Sequence, residues 1–263
     1  MQLISSGISL DQKRTWPTKA IDLLFKNKIE LKEYIKLEKQ IDRKAETDVL
    51  LRIHRPYNQF VSTFQNVNNE VYDIFQNEDI VGYHCTRLIQ DEIDEIISNG
   101  LLPLTMDLVK NKLDRLLNLK IISEYQYQML YDNNQSNNSS RKNKVCLFHT
   151  QHTFKDYSGL YRLLGIWGGE SIYWHHEIKG ELIKSLCKIG EPCIVVCKIP
   201  ANDIITRYDI INRIINYYIT RKPFEDFDSL HEHQIKVERI IKRNDALFEK
   251  LTDYSQWKNE LNT

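Results

Sequence analysis

An α+β fold is what this sequence predicts, and three observations lead there. From Lys19 to about Phe75 apolar residues recur three and four apart among charges, the spacing of amphipathic helices. Beyond that point short β-prone runs alternate with helical stretches of unequal length. No regular strand–helix beat appears, which argues against a doubly wound parallel sheet. A length of 263 residues allows one large domain or two small ones.

The elements follow in order. The run AIDLLFKNKIELKEYIKLEKQIDRK and its weaker continuation predict two to four helices, making residues 1–76 a helical N-terminal extension. Pro17 suits a helix start, and His54-Arg55-Pro56 marks a break, because the residue before proline avoids the helical region. Ile80 to Thr86 reads as a strand, and LIQDEIDEIISNG as a helix closed by Gly100. A helix or two follows in MDLVKNKLDRLLNLKIISEYQYQMLYD, with Ser123 and Glu124 at the start of the second part. The polar segment DNNQSNNSSRKNK reads as an exposed loop, a linker or a lid. VCLFHT is expected as a strand, YSGLYRLLGIW as a helix or turn, ESIYWH as a strand or strand edge, and HEIKGELIKSLCKIG as a helix ending at Gly190. PCIVVCKIP is the clearest buried strand; residues 201–233 are mixed; HQIKVERII alternates; NDALFEKLTDYSQWKNELN is a closing helix.

Thirty-six basic and 36 acidic side chains cancel, so no global field draws the chain to nucleic acid or anionic lipid. No apolar run approaches the ~18 residues of a membrane span, and the start lacks the pattern of a secretory leader, so a soluble cytoplasmic protein is expected. Five scattered cysteines fit reduced thiols in that compartment; Cys193 and Cys197 read as buried thiols rather than metal ligands. Glycine-rich dinucleotide and phosphate loops are absent, so a nucleotide would be held by another device.

Three patterns carry chemistry: Gly82-Tyr83-His84-Cys85-Thr86 before a helix ending in Gly100-Leu101-Leu102-Pro103; Gly168-Gly169-Glu170-Ser171-Ile172-Tyr173-Trp174; and Leu230-His231-Glu232-His233-Gln234-Ile235-Lys236-Val237. In this order they resemble the ADP-ribosyltransferase superfamily, in the H-Y-E branch of poly-ADP-ribose polymerases and diphtheria toxin. The resemblance covers roughly residues 81–248 and implies a split, strongly bent mixed sheet over 77–263, with a helical insertion at about 104–144. It also implies NAD as substrate, no metal, and transfer of ADP-ribose to a macromolecular acceptor, protein rather than nucleic acid. A toxin or phage-defence setting follows by analogy, with an antitoxin or regulatory partner.

The same resemblance assigns roles. His84 would hold ribose hydroxyls, since an imidazole donates and accepts at once. Taken alone it reads rather as a core or capping histidine. Thr86 shares its face, and Cys85 stands where polymerase-like members have glycine. Tyr173 would lay its ring on the nicotinamide, with Gly168, Gly169 and Ser171 in the same cofactor-binding stretch; the glycines could equally make a turn, and Tyr173 be a core aromatic. Trp167 and Trp174 are assigned to packing. Glu232 would stabilise the oxocarbenium-like charge as nicotinamide leaves, with Glu238 the second choice. Gln234 stands where related transferases often carry a second acidic residue. Arg87 reads as a diphosphate contact or a solvated side chain.

Rival readings share the same residues. His149, His152, His175, His176, Glu177, His231 and His233 suggest a metal hydrolase, but their spacing matches no known ligand pattern. An inactive transferase-like binding module and an NAD glycohydrolase are the others.

Overall fold

The computed structural model describes residues 5–155, 157–174, 180–204, 207–222 and 228–252. Two compact units divide the chain: residues 7–80 with 200–224, and residues 1–6 with 81–199 and 225–263. The helical unit therefore takes in a segment far along the chain as well as the extension read from the sequence.

In the helical unit, α1 (Thr18–Lys26) begins behind Pro17, whose φ of −55° already suits a helix. In α2 (Lys28–Thr47) the buried Leu31 and Ile35 lie one turn apart. Asp48 caps α3 (Val49–Ile53) by accepting from the Leu50 and Leu51 amides. After the break at Pro56, α4 (Val61–Phe75) buries Phe64, Val67, Val71 and Phe75 along one stripe. Trp16 closes this core edge-on against Phe75 and Tyr217, and its indole donates to the Ser9 carbonyl at 3.1 Å.

The second unit is built on one sheet. Its central strand is β1 (Asp79–Leu88), whose first two residues count with the helical unit. Next come α5 (Gln90–Asn99), α6 (Met106–Asn118) and α7 (Glu124–Asp132). The start expected at Ser123 and Glu124 is where α7 begins, and there Ser123 and Gln126 form a reciprocal cap. Then follow β2 (Val145–Phe148), α8 (Tyr157–Gly165), α9 (Glu170–Tyr173), α10 (Gly180–Cys187) and β3 (Glu191–Pro200). The segment read as mixed contains α11 (Arg207–Thr220), whose buried Ile210, Ile211, Ile214, Ile215 and Tyr218 keep helical spacing within the helical unit. Last come β4 (Asp228–His231), β5 (Val237–Lys242) and α12 (Ala246–Thr252), the described part of the closing helix.

The class is α+β. The five strands form a single antiparallel sheet in the order β4-β2-β1-β3-β5. Among the described residues the sheet is single and antiparallel, where the resemblance implies a split, strongly bent mixed one. Two further expectations are corrected. ESIYWH is no strand: its described residues centre on the helical turn α9, which a four-residue apolar pattern cannot distinguish from a strand. The loop at 132–144 is not wholly exposed, because Ser136 is buried and the Gln135 amide donates to the Ser171 carbonyl at 2.7 Å.

One face of the sheet is a dry core. Val81, Tyr83 and Cys85 of β1 pack with Ile194 and Val196 of β3 against Phe154 and Phe248. A second core, around Trp167, Tyr173, Leu113 and Leu186, holds α6, α7, α9 and α10 together. Each fully buried side chain of this size contributes about 2 kcal/mol. No helix among the described residues is long and apolar enough to cross a membrane.

Candidate functional site

Alternation along β1 decides which side chains can do chemistry. Tyr83 and Cys85 enter the dry core, so His84 and Thr86 point to the opposite face. Tyr83 pairs with Phe148, and one step along the ladder His84 stands beside Leu147 and Thr86 beside Val145. Across the next ladder Leu147 pairs with Ser229 and Val145 with His231. Two rows result on one face, His84–Leu147–Ser229 and Thr86–Val145–His231.

The half-buried His84 is fixed through Nδ1, which lies 2.9 Å from the Cys146 carbonyl. A carbonyl only accepts, so Nδ1 carries the proton and a neutral ring presents Nε2 as an acceptor. Burial holds this imidazole below its usual range; the Cys146 carbonyl opposes the shift and the nearby Lys112 ammonium adds to it. The ring is therefore neutral at pH 7.

Lys112 reaches this neighbourhood from α6 under the control of Glu92. The Glu92 side chain is 2% exposed and meets three donors: the Lys112 ammonium at 3.0 Å, the Trp167 indole at 2.9 Å and the Ile89 amide at 3.0 Å. Burial alone would raise the carboxyl, but Lys112, the Ile89 amide and the Trp167 indole outweigh it and hold Glu92 below the usual carboxylate range. Trp167 immediately precedes Gly168, so this contact ties the second sequence pattern to the helix of the first.

The third pattern is tied to the first through the backbone. Leu101 and Ile235 exchange two hydrogen bonds of 2.9 Å, and the Gln234 side-chain amide donates to the Asn99 carbonyl. Gly100 makes this approach possible. Its φ is +76°, and a Cβ there would lie 2.4 Å from the Ile235 carbonyl oxygen.

Other expected site residues stand elsewhere. Cys85 is a core thiol on the far face from His84, pushed far up by burial. Tyr173 is fully buried in the second core, so its ring packs against protein. Gly168 and Gly169, with φ of +89° and +63°, make the turn that starts α9, and a Cβ on Gly168 would meet Ile172 at 2.6 Å. The Ser171 hydroxyl donates to the Gly168 carbonyl at 3.1 Å. Trp167 packs as expected, whereas Trp174 is 47% exposed. Arg87 is neither solvated nor turned to a diphosphate: it is buried and donates to the carbonyls of Ile189 at 2.9 Å and Gly190 at 2.7 Å. Glu232 is exposed in the bend after β4, between the paired His231 and the bridged Ile235. Glu238 is engaged by the Ser5 and Ser6 hydroxyls and the Ser6 amide, with Lys198 at 3.9 Å. Burial would raise its carboxyl, but these donors hold it below the usual range.

No family model, curated protein or solved structure matches the chain. The site is therefore read from its own geometry. Among the described residues no three His, Cys, Asp or Glu side chains gather as a metal ion would need. His175, His176 and Glu177 lie outside the described residues.

The sequence reading missed Ser229. Its hydroxyl bridges two buried imidazoles, lying 2.6 Å from His149 Nε2 and 2.5 Å from His231 Nε2. Donors can be assigned by elimination. His149 Nδ1 lies 3.2 Å from the Val81 carbonyl and must donate to it. Burial pushes His149 down to about 4, the Val81 carbonyl opposes this and His231 adds to it, so the ring is neutral and its Nε2 accepts. The Ser229 hydroxyl then donates to His149, and His231 Nε2–H donates to Ser229. A serine two residues before a histidine on a short β-prone run was the only signal in the sequence.

Proposed function

We propose that the chain is an NAD-dependent ADP-ribosyltransferase, with an α+β domain of that superfamily's type, which cleaves the nicotinamide–ribose bond and passes ADP-ribose to a protein acceptor. The observation that supports this reading is that the other two sequence patterns are tied to the helix that follows β1 in the first: Trp167, beside the second, bonds Glu92 of α5, and Ile235 of the third bridges Leu101 just past the end of α5.

In this reading the His84 Nε2 accepts from a ribose hydroxyl, and its neutral state keeps that lone pair available through the physiological range. Lys112, 27% exposed and held by a buried carboxylate, supplies positive charge beside His84 for the anionic part of the dinucleotide. Glu232 is the carboxylate for the developing oxocarbenium charge, since Glu238 is committed to serine hydroxyls and Lys198. The nicotinamide cannot stack on Tyr173 as that side chain is packed, so another surface holds it.

The test is nicotinamide release from NAD by the purified chain. His84→Ala should lower the rate by about 10²-fold or more, the scale of a lost catalytic hydrogen-bonding group. Glu232→Ala should do likewise and Glu238→Ala should not. If wild type releases no nicotinamide even with a cell lysate supplying acceptors, the chain is a binding module and the proposal fails.

A further inference from the structure

The strand pair that carries His84 also sets two cysteines face to face. Tyr83 of β1 lies opposite Phe148 of β2 in an antiparallel ladder, so two residues further along Cys85 stands opposite Cys146. Alternation puts both on the side of the sheet where Tyr83 and Phe148 meet the dry core. Burial raises the Cys85 thiol and the Cys146 thiol adds to that rise, as two neighbouring sulfurs would. Opposed residues of such a pair have Cα atoms, and likewise Cβ atoms, about 4.5–5.5 Å apart. A disulfide spans Cα separations of about 4.4–6.8 Å and favours Cβ separations of about 3.5–4.5 Å. A small inward movement of the strands therefore closes the bond, and a bond closed that way is readily reduced. Cys193 and Cys197 lack this geometry: they lie roughly 13 Å apart along β3 and face Lys242 and Val237 across the next ladder.

We propose that Cys85 and Cys146 are an oxidative modification site, a dithiol that a peroxide converts to a cross-strand disulfide and a small-molecule thiol restores. Cys146 is half-buried and Cys85 only 3% exposed, so Cys146 is the sulfur that the oxidant meets. The Cys146 thiolate attacks one oxygen of hydrogen peroxide, the O–O bond breaks, and the departing hydroxide recovers the proton that Cys146 had released. Cys146 is then a sulfenic acid. Cys85 Sγ attacks that sulfur, the S–S bond forms as the S–O bond breaks, and the leaving hydroxide takes the Cys85 proton. Two thiols and one peroxide become one disulfide and two waters; the sulfurs lose the two electrons that the peroxide oxygens gain.

The two environments divide the labour. A buried thiol held in its protonated form is a poor target for peroxide in solution, so Cys85 is spared until an oxidised sulfur stands directly across from it. The bond also has a structural consequence. The Cys146 carbonyl is the acceptor that fixes His84 Nδ1 at 2.9 Å, so drawing the two backbones together moves the anchor of that imidazole. Oxidation on the core face is thereby read out at the His84 face. None of this requires NAD to be the substrate.

The experiment treats the reduced full chain with hydrogen peroxide, alkylates the remaining thiols after unfolding, and maps peptides by mass spectrometry without reduction. Loss of two of the five alkylatable thiols is expected, with the Cys85 and Cys146 peptides joined and a thiol reductant separating them. Cys146→Ser should abolish the link and Cys193→Ala should leave it intact. In parallel, the NMR signals of the His84 ring should shift on oxidation and return on reduction. Five thiols still alkylatable, a link through any other cysteine, a dimer joined through Cys146, or Cys146 carried on to sulfinic acid with no link would each overturn the site. A formed link with unmoved His84 signals would overturn its connection to that imidazole. Should a variant fail to fold, the peptide map of the wild-type chain still decides.

Discussion

Two faces of one strand, made of alternating neighbours in sequence, live under opposite rules. Val81, Tyr83 and Cys85 of β1 enter a dry core, where their worth is packing. His84 and Thr86, one residue away from each, stand in rows with Ser229 and His231, where hydrogen-bond direction and protonation matter more than volume. Substitutions on the first face should cost stability and those on the second should cost chemistry.

The largest effect is expected from Tyr83→Ala. Tyr83 is fully buried, edge-on to Phe154 at 5.1 Å, and its hydroxyl accepts from the Gln151 amide at 2.9 Å. Truncation leaves a cavity and removes the contact with Gln151, and should lower the unfolding free energy by about 4 kcal/mol in urea denaturation. A loss below ~1 kcal/mol would show that this face is not the packed one.

Acid should act next, and through the polar face. The folded pKa of His149 is about 4, below the ~6.5 of an unfolded chain, so the unfolded state binds the proton first. Stability is full above the unfolded value and is lost as pH falls from about 6.5 towards 4, by on the order of 3 kcal/mol. His149→Gln should flatten that part of the stability–pH curve. An unchanged curve in the variant would mean that another group dominates acid unfolding.

Gly100→Ala comes third. A side chain there requires a strained positive φ and collides with the Ile235 carbonyl, which should cost about 2 kcal/mol. Because Gly100 also lets the third pattern reach the first, nicotinamide release should fall more than the lost stability explains. Parallel thermal melts and rate measurements separate the two effects.

Much of this division was legible in the sequence, and its limits have physical causes. Strong periodicity with a cap located the helix ending at Gly100, and Ser123 with Glu124 located the start of the next but one. The short, continuous apolar run in PCIVVCKIP located a buried strand. Tyr173 was misplaced because four residues satisfy a strand and a helical turn equally well, and only the positive φ angles of Gly168 and Gly169 choose between them. Arg87 was misread because its partners, Ile189 and Gly190, lie about a hundred residues away and are backbone carbonyls, which leave no mark in side-chain pattern. The Glu92–Trp167 contact spans 75 positions and has no local signal. His84 could be placed because its strand, helix and glycine are contiguous. Ser229 could not, since one of its imidazole partners, His149, lies 80 positions away.

The smallest effect concerns charge beside His84, and it sharpens the polar face without touching its fold. Lys112 is the ion-pair partner of the buried Glu92 carboxylate, so removing Lys112 alone would strand a buried charge and confound electrostatics with unfolding. The double change Lys112→Met with Glu92→Gln removes both charges and keeps similar volumes. Of the two, the Lys112 ammonium is the one that holds the imidazole down, so the His84 pKa should rise in the double variant. It should still lie below the ordinary histidine value, because burial, the larger cause, is unchanged. An NMR titration of the His84 ring measures this directly. A pKa that stays put would place Lys112 too far from the imidazole to act on it, and would take away the positive charge assigned there to the anionic part of the dinucleotide.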